Sequence, residues 1–386
     1  MASEPAMNSV MFAPLSPRPP MLRFPFRPLL VLAVGAVALA ACDSDDPSDN
    51  PLAEAEANLG VWTWIDVEGS QCRDGSATGI GVRLQEGAED LMIYLEGGGA
   101  CFNGATCATN PSSFGEAEFS VLAAQRSEAG IFSMGAENPV GDWNMVYVPY
   151  CTGDIHGGNA PNTTVQGVTG TQQFVGHQNV ERALELLDDH FRDDPETVLL
   201  TGASAGGFGT LVNFTGVADR FAASEHVLLN DSGPIFFDDD VFSPLLGLGF
   251  NAQWNLAASF PADAAPLFTT DALPGVYAYL ADRYPDARFG LASHLEDQVI
   301  RGFFSFGQAD QTITGSEYAA GLRDLRAQAP ADWATYFATG NDHVFIGLPN
   351  RYTGTSAGVA LNDWVGDLID GTASNVDPSV ATVAAR

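Results

Sequence analysis

The run Val198-Leu199-Leu200-Thr201-Gly202-Ala203-Ser204-Ala205-Gly206-Gly207 is apolar up to a serine framed by small residues. In a G-x-S-x-G turn between a buried strand and a helix, the serine occupies a strained backbone conformation and its neighbours must be small enough to leave the hydroxyl exposed. Ser204 is therefore the candidate nucleophile. A Gly- and Ala-rich chain also produces this pattern by chance, so its flanks decide the reading. Thr197-Val198-Leu199-Leu200 is a β-branched and aliphatic run suited to a buried parallel strand, and residues 206–218 can continue as a helix. Upstream, residues 173–191 place Val180, Ala183, Leu184, Leu187 and Phe191 on one face of an amphipathic helix. Helix, strand, turn and helix in that order predict an α/β fold with a mostly parallel sheet flanked by helices.

Composition bounds the class. The 386 residues are 46% hydrophobic and 17% charged, enough for a sizeable core in one large domain. There is no lysine: all 16 basic residues are arginine, against 48 acidic ones, for a formal net charge of −32. Such a balance disfavours nucleic acid and anionic membrane surfaces as partners, since both are polyanions. The acidic runs at 43–49 and 238–240 lack the ligand spacing of a calcium loop, so no metal is assigned.

The N-terminus reads as a targeting segment. Arg23 and Arg27 precede a 13-residue apolar run, Leu29 to Ala41, too short to span a bilayer and suited to a signal h-region. It ends in Leu39-Ala40-Ala41-Cys42, which resembles a bacterial lipobox and implies lipidation of Cys42. An ordinary signal peptide cut near Ala41 is the alternative. Either reading predicts export: residues 1–41 a signal peptide with lipobox, 42–58 an acidic flexible tether, and 59–386 the folded domain, lipid-anchored to the cell envelope at the periplasmic face or cell surface. Beyond Cys42 the chain has Cys72, Cys101, Cys107 and Cys151, an even number that predicts two disulfides in an oxidising compartment, with three pairings open. A zinc site is the weaker reading because paired C-x₂-C spacing is missing.

Several ordered blocks carry a family resemblance. They are Cys72-Arg73-Asp74-Gly75-Ser76, Leu95-Glu96-Gly97-Gly98 within 93–103, Pro149-Tyr150-Cys151-Thr152-Gly153-Asp154, the Ser204 elbow, and Asp231-Ser232-Gly233. Across residues 60–350 the chain resembles the pectin acetylesterase and Notum family of carboxylesterases. The resemblance implies an α/β-hydrolase-like fold, serine esterase activity without a cofactor, and the pairings Cys101–Cys107 and Cys72–Cys151. Read physically, Gly97-Gly98-Gly99 is a turn whose backbone N–H groups can form an oxyanion hole from Gly98 and Gly99, with Ala205 supplying another donor. Family members carry a bulky aromatic near Gly99 and this chain does not, a departure that leaves the backbone chemistry intact and the shape of the acyl pocket open.

A triad in α/β-hydrolases runs Ser, Asp, His along the chain. His343, in a turn-like segment before an apolar run, is the predicted base, with His294 as competitor and His226 too close to the elbow. The resemblance places the base at His343 as well. Asp297 is the predicted acid from the resemblance of 293–301 to the family's acid block, with a differing spacing and with Glu296, Asp342 and Asp310 as alternatives. Asp154 and His156 can touch substrate or anchor a loop. Trp62, Trp64 and Trp143 can line a sugar cleft or pack the core. The expected activity is hydrolysis of an acylated carbohydrate, a pectin-like O-acetylated polysaccharide, by a monomer through an acyl-serine. Longer-chain acyl esters or thioesters, a serine peptidase, and a catalytically silent binding lipoprotein are the alternatives.

Overall fold

The computed structural model describes residues 50–191, 194–269, 272–306 and 312–379. Its eight-stranded sheet comprises β1 (Thr63–Gln71), β2 (Ala77–Arg83), β3 (Leu91–Leu95), β4 (Asn144–Val148), β5 (Thr197–Ala203), β6 (Glu225–Asp231), β7 (Arg288–His294) and β8 (Trp333–Ala338). They lie in the order β1-β2-β4-β3-β5-β6-β7-β8. The six strands from β4 to β8 are parallel, and β1 and β2 add an antiparallel edge. Strands such as Leu91–Leu95 are buried at every position because helices cover both faces, which is why they read as continuous apolar runs.

The covering helices are α1 (Glu116–Arg126), α2 (Gly176–His190), α3 (Ala205–Arg220), α4 (Pro244–Trp254), α5 (Val276–Arg283), α6 (Gln298–Ser305), α7 (Gly315–Gln328) and α8 (Leu361–Ile369). The helix predicted over 173–191 is α2, and it buries Val180, Ala183, Leu184 and Leu187 as its periodicity requires. One core lies under α2, α3, α5 and α7, where Leu200, Phe214 and Leu228 meet. The opposite core gathers Leu199, Tyr147, Phe132 and Trp364. Trp143 is buried, and Trp62 and Trp64 pack against Phe119. All three serve the core.

The tether predicted over 42–58 needs correction at its C-terminal end. A short helix at Ala53–Ala57 buries Leu52 and Ala55 completely, and Glu56 pairs with His190 at 3.2 Å. Acidic neighbours masked a one-turn apolar spacing that docks on the core. The signal segment 1–41, Cys42 and residues up to 49 lie outside the described residues. Among the described residues, no helix is long and apolar enough to cross a membrane.

Candidate active site

The parallel strands end along one edge, and the predicted site residues follow those ends. Ser204 caps β5 with φ 58° and ψ −118°, the strained conformation of an elbow. Its N–H donates to the Asp231 carbonyl at the end of β6 (2.8 Å). A Cβ at Gly206 would run into the Leu95 carbonyl, so only glycine lets α3 start so close to β3.

After β3 the chain forms the Gly97–Gly99 turn, and its carbonyls are tied down from behind. His156 Nε2 donates to Glu96 O (2.8 Å), Asn110 Nδ2 to Gly98 O (2.7 Å), and Tyr150 Oη to Gly99 O (3.0 Å). In a trans peptide the C=O and the following N–H point in opposite directions. Holding Gly98 O therefore turns the Gly99 N–H away from Asn110. Ala205 opens α3, so its N–H has no partner within the helix. Two of the tying groups, Tyr150 and His156, sit on one loop, where burial pushes Asp154 up to about 6 and His156 down to about 4. Asp154 accepts from Thr152 Oγ1 and the Gly176 N–H, so both residues anchor the loop. The disulfides are Cys72–Cys151 and Cys101–Cys107, the pairing the resemblance implied, and they brace these same segments.

Asp297 follows β7 and His343 follows β8, and the fold brings them together across 46 residues. His343 Nδ1 lies 2.7 Å from Asp297 Oδ2. The other carboxylate oxygen accepts from the N–H groups of Val299 and Ile300, because Asp297 is the N-cap of α6. Helix start and imidazole thus share one fully buried carboxylate. Two alternatives fall away, since Glu296 is exposed and Asp342 pairs with Arg351 at the surface; Asp310 lies outside the described residues. His294 is stacked on Phe345 with ring centroids 4.0 Å apart, and His226 donates to Phe221 O. Among the described residues His343 Nε2 has no hydrogen-bond partner, and His343 and Ser204 line the same cleft.

Two contributors escaped sequence reasoning. Asp231 Oδ2 accepts from Phe345 N–H (2.7 Å) and Ile346 N–H (2.9 Å), which fixes the loop carrying His343. Burial pushes Asp231 up to about 6, with the two N–H groups opposing. The Asp-Ser-Gly block marked the position, and its role required knowing which loop lies above it. The second contributor is the wall of a cavity.

Ser204 borders two spaces, one of mixed lining and one apolar. The cleft it shares with His343 is lined by Glu96, Gly97–Gly99, Arg126, Val344 and Leu348. Burial pushes the Glu96 carboxyl up to about 7 there. On the other side lies a cavity that, Ser204 apart, is walled almost wholly by apolar groups. Phe208, Phe242, Phe250, Phe303 and Phe304 are among its lining residues, together with Ile155 and Leu273. Phe303 from α6 comes within 3.1 Å of where a Cβ would stand at Gly99, whose φ is +80°. An aromatic ring reaches this spot from a different element than in the family pattern.

Elbow, turn and acid–base pair at the carboxyl ends of a parallel sheet define the α/β-hydrolase class with serine-esterase geometry. A family model described as pectinacetylesterase matches residues 54–244. Palmitoleoyl-protein carboxylesterase notum1a of Danio rerio is 30% identical over 172 residues, covering 42% of this chain and 33% of that protein. The inactive palmitoleoyl-protein carboxylesterase notum1b of Danio rerio is 32% identical over 102 residues, 26% of this chain and 73% of that one. The structure of the Wnt deacylase Notum from Drosophila superposes with a TM-score of 0.62 at 17% identity, covering 82% of this chain and 95% of that one. The chain belongs to the pectin acetylesterase/Notum family, with the Notum-like α/β-hydrolase fold. It matches about a third of the length of the first of these curated relatives.

Proposed function

We propose that this protein is a serine carboxylesterase that cleaves esters of medium to long acyl chains. The observation that carries this reading is the apolar cavity opening at Ser204. An acetyl group on Ser204 would touch only the wall nearest the serine and leave the phenylalanines further in uncontacted, so the geometry favours the longer-chain alternative over the short acyl esters of a polysaccharide. In this mechanism His343 Nε2 takes the Ser204 Oγ proton as Oγ attacks the ester carbonyl. Asp297 holds the ring in one tautomer and stabilises the imidazolium. The N–H groups of Gly98, Gly99 and Ala205 receive the oxyanion, each such donor contributing roughly 2.7–4 kcal/mol. His343 then returns the proton to the departing alkoxide, which leaves through the cleft beside Glu96 and Arg126. Water activated by the same histidine hydrolyses the acyl-serine. No cofactor is required by these steps.

Two disulfides and the lipobox-like segment support an exported, lipid-anchored enzyme, and we take it to act as a monomer. Hydrolysis of p-nitrophenyl acetate, butyrate, octanoate and palmitate tests the reading. Each buried methylene contributes about 0.8 kcal/mol, so kcat/KM should rise roughly fourfold per added CH₂ until the cavity is full. A maximum at acetate would return the short-acyl reading, and no Ser204-dependent turnover of any ester would leave a binding lipoprotein.

A further inference from the structure

Helix α4 lends Phe250 to the wall of the acyl cavity, and its outer face carries no charge. Inward, Leu246, Gly247 and Trp254 are buried and Phe250 lines the cavity. Outward, Leu245, Gly249 and Ala252 are exposed at i, i+4 and i+7, and Leu248 beside them is half-buried. Leu245 is 75% exposed, and no Asp, Glu, Arg or His occurs from 241 to 256 in a chain that is 17% charged. Across the cavity, Phe306 at the end of α6 is 59% exposed. It packs against Phe102, which packs against Phe250 of α4, and it lies next to the cavity-lining Phe303. Phe306 is thus continuous with the cavity wall, and Leu245 stands on the helix that supplies Phe250 to it.

We propose that the outer face of α4, with Phe306, docks on the surface of a zwitterionic lipid bilayer, from which an acyl ester passes into the cavity beneath. The inference deepens the acyl-esterase reading and rests on it. An uncharged helix face with a leucine three-quarters exposed meets water only at a cost, and a surface that removes it from water is the ordinary resolution. Charge selects the kind of surface: a chain of net charge −32 is repelled by an anionic bilayer and tolerates a zwitterionic one. The acyl cavity under the same helix makes the substrate's own lipid phase the matching partner.

The test uses the full chain carrying Ser204→Ala, so that no lipid is consumed and the readout is independent of turnover. Leu245→Trp in this background should add fluorescence that shifts to the blue with phosphatidylcholine vesicles and is quenched about twofold by brominated acyl chains. A Val121→Trp control, at an exposed site on α1, should be unaffected, which separates docking of α4 from tethering by the N-terminus. Vesicles rich in phosphatidylglycerol should quench Trp less. With Ser204 intact, Leu245→Asp should lower turnover of an ester dispersed in phosphatidylcholine about tenfold and leave soluble p-nitrophenyl butyrate within twofold. Absent or equal quenching at 245 and 121 overturns the proposal. So does a lipid-free blue shift that grows with protein concentration, which would make this face an interface between two copies. Should no ester be hydrolysed at all, the esterase reading fails, while the quenching result still decides the docking.

Discussion

The half of the molecule up to residue 244 and the half beyond it build the two sides of the site by different means. The first half carries the nucleophile and the oxyanion turn, and holds them with backbone geometry, buried hydrogen bonds and both disulfides. The second half carries the acid, the base and about half of the acyl cavity's wall, and holds them through one N-cap, the Asp231 anchor and packed phenylalanines. The family model matches the first half and stops there. Donors aimed at a developing charge tolerate little displacement, and so demand particular residues at particular positions. An apolar wall demands only volume and hydrophobicity, which many sequences supply. One half is therefore constrained residue by residue and the other by shape.

The largest break comes from the nucleophile. Ser204→Ala should reduce kcat on p-nitrophenyl octanoate by about 10⁶-fold with the fold intact by circular dichroism. On the other side, Asp297→Asn should lower kcat about 10⁴-fold, because the amide can still cap α6 and can no longer stabilise the His343 imidazolium. A change at the junction couples the halves. Gly99→Trp faces a φ of +80° and the Phe303 ring, and should cost roughly 10²-fold in kcat/KM. Phe303→Ala should recover part of that loss, with a coupling on the order of 0.5–3 kcal/mol in a double-mutant cycle.

Stability comparisons sharpen the contrast further. Cys72–Cys151 closes a separation of 79 residues in the first half. Replacing both cysteines by alanine should lower unfolding free energy by roughly 4 kcal/mol, measured by urea titration. Glu96→Gln should have the smallest effect, and a pH-dependent one. Burial holds the folded carboxyl at about 7, against an ordinary value of 4.5, so the folded chain keeps a proton that the unfolded chain has released. Stability from this group is present below pH 4.5 and lost as pH rises through 7. The variant should match the wild type at pH 4.5 and melt on the order of 2–4 °C higher at pH 8, by calorimetry. A constant difference across that range would sink the assignment.

The legibility of the site follows the same division. Ser204, Gly98 and Gly99 were readable because strained turns and close backbone approach admit few residue types. His343 and Asp297 were readable only as candidates, since a histidine before an apolar run and an aspartate near a helix start have many uses. The family pattern near Gly99 could not predict the pocket, because Phe303 lies 204 positions further along the chain and its neighbours show no motif. The uncharged stretch 241–256 was a usable signal for the covering helix, but composition alone does not say what it covers.

By itself the sequence determined the α/β class, the elbow and the number of cysteines available for bridging. Each rests on local physics: hydrophobic periodicity, the steric demands of a turn, and redox chemistry. The tertiary structure alone decided that one carboxylate serves both a helix cap and an imidazole, that Asp231 fixes the base loop, and that phenylalanines from distant segments close around an acyl-sized space. Those outcomes depend on which strand ends lie side by side, and in a sheet ordered β1-β2-β4-β3-β5-β6-β7-β8 neighbours in space are set by long crossovers that no local stretch of sequence records.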